Sequence, residues 1–88
     1  MALLLYSRQG CCLCAGLEEK LRALDPPLEL LVIDVDHDPA LQARFGLEVP
    51  VLALQRPPGE PVTLPRVSPR LAGAALERWL AQELERLS

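Results

Sequence analysis

Three cysteines lie within four positions, between an apolar run and a stretch with helical periodicity. The run Ala2–Tyr6 is typical of a strand buried on both faces, whereas the leucines after the cysteines recur at helical spacing. A strand that passes into a helix here places Cys11 and Cys14 at a helix N-terminus, where free backbone N–H groups and the helix dipole favour a thiolate. Residues three apart lie on nearly the same helical face, so the two sulfurs can form and break a disulfide. The junction therefore predicts a dithiol switch.

The rest of the chain predicts an alternation of strands and helices in the order β-α-β-α-β-β-α. The predicted strands are Ala2–Tyr6, Leu28–Val35, Val51–Leu54 and Pro61–Leu64. The predicted helices run from Cys12 to about Leu24, from Pro39 to Phe45, and from Ser68–Pro69 to the end of the sequence. The first two strands are joined through a helix, so we expect them to be parallel, and the last two form a hairpin.

Turn and capping residues set the predicted boundaries. Asp38 and Ser68 each precede a proline, which is typical of an N-cap followed by the first helical position. Gly46 is predicted to cap the second helix at its C-terminus. Asp25–Pro27 ends the first helix, and Arg56–Glu60 forms the hairpin turn.

Length and charge restrict the classes of function. The 88 residues form one domain, 1–88, without a linker or repeat, and we expect a monomer. The net charge of −3 and the lack of a basic cluster argue against nucleic acid as a partner. The sequence predicts no transmembrane span, no membrane partner and no signal peptide. Cysteines this close together cannot form a disulfide framework that spans the domain. We therefore expect functional thiols in a reducing, cytoplasmic setting.

Other roles for the cysteines remain open at this point. Cys12 is rotated about 100° from Cys11 around the helix and is interpreted as a small packed residue, with a redox or metal role as the alternative. No metal site is predicted, because three thiols fall one ligand short of a closed zinc or iron–sulfur site and His37, the single histidine, lies in a turn after the second strand. Inert structural cysteines are the remaining alternative for Cys11 and Cys14.

The element order, with Cys-x-x-Cys after the first strand and Val49-Pro50 before the third, resembles the thioredoxin fold and specifically small glutaredoxin-like proteins. The resemblance covers essentially the whole chain. It implies an α/β fold with a four-stranded mixed sheet flanked by three helices. It also implies that Arg8 is the basic residue three positions before the first cysteine, and that Val49-Pro50 is the family's cis-proline, which packs against the dithiol and exposes the preceding backbone to substrate.

Two positions depart from the glutaredoxin pattern. Between the fourth strand and the last helix, glutaredoxins carry a Gly-Gly pair and an acidic residue that hold glutathione, whereas residues 64–70 contain neither. The first middle position of the motif, commonly proline in the family, is Cys12. The resemblance is therefore to a divergent short branch of glutaredoxin-like proteins.

The functional prediction is a thiol–disulfide oxidoreductase with a role in cell redox homeostasis. Cys11 is the candidate nucleophile and Cys14 the resolving thiol. Arg8, Val49 and Pro50 are the candidate substrate-binding residues. For Arg8, electrostatic assistance to Cys11 and a solvated loop arginine are the alternatives. The expected partners are protein or low-molecular-weight disulfides; no resident cofactor is predicted, and glutathione is the candidate co-substrate. The alternative function is a thioredoxin-fold binding or adaptor module whose cysteines are vestigial or bind zinc or an iron–sulfur cluster.

Five further side chains have mainly structural interpretations. Asp34 and Asp36 flank the end of the second strand and are assigned to capping and turn formation. Trp79 lies on the apolar face of the last helix and is assigned to the core. Arg66 and Arg70 are interpreted as solvated, with a role in holding an anion as the alternative.

Overall fold

A computed structural model describes residues 2–24, 29–55 and 59–87 of the chain. Its strands are β1 (Ala2–Ser7), β2 (Leu30–Asp34), β3 (Val51–Gln55) and β4 (Val62–Thr63). Its helices are α1 (Cys12–Arg22), α2 (Pro39–Phe45) and α3 (Gly73–Arg86), with a 3₁₀ turn at Val35–His37. The predicted order β-α-β-α-β-β-α is confirmed. Within the described ranges, no helix is long and apolar enough to cross a membrane.

The strands form one mixed sheet in the order β2-β1-β3-β4. β1 pairs with β2 in parallel, with Leu5 opposite Val32, and with β3 in antiparallel orientation, with Leu5 opposite Leu52. β3 and β4 pair in antiparallel orientation, so the predicted hairpin is confirmed. The fold class is the predicted α/β architecture with a four-stranded mixed sheet and three helices.

β1 separates two apolar clusters, because its successive side chains point to opposite faces of the sheet. Leu3 and Leu5 pack on one face with leucines of α1 and α3, and Trp79 packs against this cluster, as predicted. Leu4 and Tyr6 pack on the other face with a second set of side chains, Val35, Phe45 and Ala53. The prediction of a strand buried on both faces is confirmed.

The second helix is bounded by the residues that predicted it. Asp38 is its N-cap and accepts a hydrogen bond from the Ala40 N–H at 2.9 Å. Pro39 occupies the first turn, where no N–H is needed, and Gly46 is the C-cap. Other boundaries differ by one or two residues: α1 ends at Arg22, β2 ends at Asp34, and β4 has only Val62–Thr63. The predicted breaks at 25–27 and 56–58, and Leu28, lie outside the described residues.

The prediction that the last helix begins at Ser68–Pro69 is wrong. The Ser68 hydroxyl accepts a hydrogen bond from the Arg70 N–H at 3.2 Å, and its carbonyl accepts one from the Leu71 N–H at 3.1 Å, which closes an isolated turn. α3 begins at Gly73, whose φ of +54° lies in the left-handed region that favours glycine. A serine hydroxyl makes the same local bond in a turn as in an N-cap, so the local pattern does not distinguish the two.

Candidate functional site

The loop between β1 and α1 brings the two predicted reactive cysteines together. Gly10, at a φ of +84°, and a hydrogen bond from the Cys11 N–H to the Arg8 carbonyl (3.2 Å) turn the chain into the helix. Cys11 is the N-cap of α1, and its sulfur accepts a hydrogen bond from the Cys14 N–H at 3.2 Å. Cys11 and Cys14 form a disulfide, with their Cα atoms 5.2 Å apart.

The two sulfurs differ in accessibility. Cys14 is buried, at 1% exposure, whereas Cys11 is only partly buried. The first turn of α1 carries no acidic residue, and Glu18, one turn further along, is paired with Arg22 at 2.9 Å. The helix N-terminus is therefore not opposed by a carboxylate in its own first turn, and Cys11 is the sulfur that a second molecule can reach.

Cys12 does not pack in the core. It is an exposed free cysteine, so the prediction that it packs as a small apolar residue is wrong. Its position in α1 directs the side chain away from the leucines that face the sheet, and it lines two surface clefts beside the disulfide. The third thiol is thus accessible next to the Cys11–Cys14 disulfide.

Arg8 is held by two partners outside its own loop. Its Nε and Nη2 atoms donate to the two carboxylate oxygens of Asp36 at 3.2 and 2.9 Å, and Nη1 donates to the Gly46 carbonyl at 3.0 Å. Gln42 donates to the same carboxylate at 3.0 Å. Arg8 also lines an open surface cleft together with Cys11. The guanidinium therefore links the loop before α1 to the turn after β2 and to the end of α2.

Asp36 was not among the predicted site residues, although the topology contains a signal for it. Arg8 follows β1 directly, and Asp36 lies two residues beyond the end of β2. Because β1 and β2 are parallel, with Ser7 opposite Asp34, their carboxyl ends meet at one edge of the sheet. Opposite charges just beyond those ends are therefore candidates for an ion pair. Asp34 has the predicted turn role, since its carboxylate accepts from the Asp36 N–H at 2.9 Å.

The Val49–Pro50 peptide bond is cis. Val49 packs against the cluster that contains Tyr6, and its N–H donates to the Phe45 carbonyl at 3.1 Å. Its carbonyl oxygen has no hydrogen-bond partner within the described ranges. Pro50 lines a cleft that Cys12 also lines, so the loop before β3 lies beside the N-terminal turn of α1.

A cleft of about 220 Å³ lies between α1 and the segment that follows β4. Its wall combines apolar side chains with two cations, Lys20 and Arg66, and includes no acidic residue. Lys20 Nζ donates to the Pro69 carbonyl at 2.6 Å, whereas Arg66 is exposed and has no ion pair or hydrogen bond among the described residues. Arg70 does not line this cleft. The lining residues are Cys12, Leu13, Gly16, Leu17, Lys20, Pro50, Arg66, Val67, Ser68 and Pro69.

The described part of the chain contains no group of three or more His, Cys, Asp or Glu side chains arranged to hold a metal ion. His37 is at the end of the 3₁₀ turn, with its side chain 84% exposed and 3.7 Å from Asp34. His37 therefore lies in the turn after β2, as predicted.

Tyr6 is a buried residue of β1, two positions before Arg8. Its ring stacks on Phe45 with centroids 4.6 Å apart, and Arg44 lies 4.8 Å from the Phe45 centroid. Burial raises the pKa of Tyr6, and the nearby Arg44 charge opposes this shift. The phenol is therefore neutral over the pH range in which thiols exchange.

Comparison with known proteins gives a consistent family match. A family model described as a glutaredoxin-like domain (DUF836) matches residues 2–81. The X-ray structure of the protein XcR50 from X. campestris is 34% identical, with a TM-score of 0.57, and the match covers 92% of this chain and 97% of that one. Its solution structure gives 35% identity, a TM-score of 0.56, and coverage of 93% and 95%. A structure described as a malarial protein, 17% identical over 94% and 96% of the two chains with a TM-score of 0.56, shares the fold. The comparison with curated proteins found no match.

Proposed function

Because the chain belongs to the glutaredoxin-like family, we propose that it is a thiol–disulfide oxidoreductase that acts through Cys11 and Cys14. The observation that carries the proposal is their disulfide at the N-terminus of α1, in which one sulfur is accessible and the other is buried. This asymmetry suits an exchange reaction, in which the outer thiol must meet substrate and the inner one must not.

The proposed reaction transfers two electrons from the reduced dithiol to a substrate disulfide. The Cys11 thiolate attacks one substrate sulfur, which forms a mixed disulfide and releases the other substrate sulfur as a thiolate. The Cys14 thiol then loses its proton and attacks the Cys11 sulfur, which restores the Cys11–Cys14 disulfide and releases the second substrate thiolate. Free thiols of another redox system reduce the protein again by the reverse sequence of steps.

The loop at Val49 and Pro50 is proposed to align the substrate. Pro50 forms a wall of the cleft beside α1. The free Val49 carbonyl oxygen is an acceptor for a backbone N–H of the substrate, next to the sulfur under attack. The Val49 N–H already bonds to Phe45, so we propose that this loop offers the substrate an acceptor and not a donor.

The proposed substrates carry a carboxylate near the disulfide. The cleft beside α1 contains the unpaired Arg66 guanidinium, and no acidic residue lines it. A guanidinium binds a carboxylate through charge-assisted hydrogen bonds, and the apolar part of the wall accommodates aliphatic groups. Protein disulfides with an acidic neighbour fit this chemistry, and so does glutathione as a small-molecule co-substrate. We place the reaction in a reducing compartment, the cytoplasm, with the protein as a monomer.

A redox titration tests the exchange function. Purified protein is equilibrated in glutathione buffers, quenched by alkylation and weighed as intact protein. We expect the oxidised protein to have lost two hydrogen atoms and to lack the two alkyl groups that reduced Cys11 and Cys14 take up, with a midpoint between about −180 and −270 mV. The loss should persist in Cys12→Ser, the control, and disappear in Cys11→Ser and in Cys14→Ser. Failure to form the Cys11–Cys14 bond across this range would contradict the proposal and favour an adaptor module.

A trapping experiment tests whether Arg66 binds the carboxylate of the substrate. In a Cys12→Ser/Cys14→Ser background, Cys11 is the single thiol, and its mixed disulfide with glutathione accumulates. Arg66→Gln should slow adduct formation about three- to tenfold, because one charge-assisted hydrogen bond is lost. Arg78→Gln, which removes an exposed arginine of α3, is the matched control and should leave the rate unchanged. Equal rates for the two variants would remove Arg66 from the binding site.

A further inference from the structure

We propose that Asp36 is a positioning residue for the exchange site: it holds Arg8 in an ion pair and so limits how strongly the Arg8 charge stabilises the Cys11 thiolate. The inference rests on the proposed role of Cys11 in exchange. Its test measures the reactivity of Cys11 towards an alkylating agent and needs no turnover, so the two proposals can fail separately.

Hydrogen bonds hold the Arg8 guanidinium in one orientation. All three of its nitrogen atoms donate hydrogen bonds, two to Asp36 and one to Gly46, at 2.9 to 3.2 Å. The pair is about one-third exposed, with side-chain exposures of 34% for Arg8 and 35% for Asp36. A bidentate pair at this depth fixes the orientation of the guanidinium better than a fully exposed pair does. The second contact of Asp36, with Gln42, holds the carboxylate in place.

Arg8 and Cys11 are neighbours in the loop before α1. The Arg8 carbonyl accepts a hydrogen bond from the Cys11 N–H, and both residues line one open surface cleft. A nearby cation favours the thiolate over the thiol, and a carboxylate bound to that cation offsets the effect. The other charged group that lines the cleft is Glu18 of α1, which is paired with Arg22. From the turn after β2, Asp36 faces Arg8, and His37 is exposed and next to Asp34.

The same pair connects two loops of the site. Arg8 lies three residues before Cys11, and Gly46 lies three residues before Val49. Arg8 donates to the Gly46 carbonyl while Asp36 holds its other nitrogens, so the loop before α1 is fixed relative to the segment that leads to the cis peptide. Asp36 thus acts on the reaction through Arg8 and does not itself need to contact the substrate.

The test compares charge variants in the reduced Cys12→Ser/Cys14→Ser background, in which Cys11 is the single thiol. The rate of alkylation by iodoacetamide is measured at about pH 6.5 and low salt, where the rate follows the thiolate fraction. Asp36→Asn should raise the rate about threefold or more, because the Arg8 charge is no longer neutralised. Arg8→Gln should lower it by a similar factor. Glu83→Gln, which removes an equal charge from the Glu83–Arg86 pair of α3, is the control and should not change it.

The direction of the two changes distinguishes an electrostatic role from a merely structural one. Both substitutions break the same ion pair, so a structural role alone would move the rate the same way in both, which would overturn the proposal. In the double variant, Asp36→Asn should have no effect beyond that of Arg8→Gln. If Asp36→Asn accelerates alkylation equally in that background, the carboxylate acts directly on Cys11 and the proposal is wrong.

Two further measurements keep the inference testable if Asp36→Asn does not fold. Arg8→Lys keeps the charge without the forked geometry, so alkylation should be as fast as in the parent or faster; a rate as low as that of Arg8→Gln would refute the charge argument. In the parent, high salt should bring the alkylation rate closer to that of Arg8→Gln, because exposed charges are screened over about 10 Å or less. A difference that is independent of salt would contradict it.

Discussion

Reduction of the Cys11–Cys14 disulfide should lower the stability of the fold by an amount that the length of the closed loop predicts. The disulfide joins residues three apart in sequence, so it closes a loop of four residues. For such a loop the chain-entropy relation gives about 2 kcal/mol, which arises from the restricted conformations of the unfolded chain. At about pH 6, where a reduced cysteine is mostly a thiol, we therefore expect the oxidised form to be the more stable one by about 2 kcal/mol.

The difference should decrease as the pH rises. In the reduced protein, we expect the helix N-terminus to favour the thiolate form of Cys11 over the thiol. A group with a lowered pKa in the folded state adds stability above its unfolded pKa, and this stability is lost as the pH falls through the folded pKa. The reduced fold therefore gains stability towards about pH 8.5, and the disulfide form does not.

Urea unfolding followed by Trp79 fluorescence measures both effects. For a slope of about 1 to 2 kcal/mol per M, a difference of about 2 kcal/mol moves the midpoint by roughly 1 to 2 M. Cys12→Ser prevents exchange with the third thiol during the measurement. The Cys11→Ser/Cys14→Ser variant should unfold identically in oxidising and reducing buffers. A reduced form as stable as the oxidised one at pH 6 would refute the entropic reasoning, and a gap that widens with pH would refute the electrostatic part.

Three other tests by substitution address the fold beneath the site. Leu76→Ala should lower the free energy of unfolding by about 2 to 5 kcal/mol, because Leu76 is 0% exposed. Leu47→Ala, at a residue that is 99% exposed, is the control and should change it by no more than about 0.5 kcal/mol. Similar losses for the two variants would contradict the core assignment. Gly10→Ala should destabilise the fold by about 1 kcal/mol, because Gly10 has a positive φ. Gly16→Ala, in a helix with open space at the Cβ position, should stabilise the fold by up to about 1 kcal/mol. Changes in stability of the same sign for both variants would argue against the turn geometry. Burial raises the pKa of Tyr6, so the stability that its neutral phenol contributes should be lost above about pH 10. Tyr6→Phe should remove this part of the pH dependence of stability. An unchanged pH profile in Tyr6→Phe would contradict this prediction.

Patterns confined to one element predicted this fold well. The apolar run before Cys11 and the Asp38–Pro39 pair each specify an element through local periodicity or capping, and the structure contains both. The Cys11–Cys14 pair was predictable for the same reason, because a spacing of three on a helix brings side chains together whatever the rest of the chain does.

Features that depend on the packing of distant segments were not predictable in this way. Arg8 and Asp36 are 28 residues apart, and their pairing depends on the register of two parallel strands. Cys12 could face the core or the solvent until the rotation of α1 against the sheet was known. Ser68 makes a bond that caps either a turn or a helix, and the conformation of Gly73 determines where α3 starts.

The two halves of the exchange site rest on different sides of the sheet. α1, which carries the dithiol, packs through Leu17 and Leu21 into one apolar cluster, whereas Val49 packs into the other cluster, which contains Phe45. Substitutions in different clusters share no side-chain partner, so their effects on the free energy of unfolding should be additive. The dithiol and the loop with the cis peptide are therefore supported by separate apolar clusters, so a core substitution beneath one should leave the packing beneath the other unchanged, while the Arg8 hydrogen bonds connect the two loops.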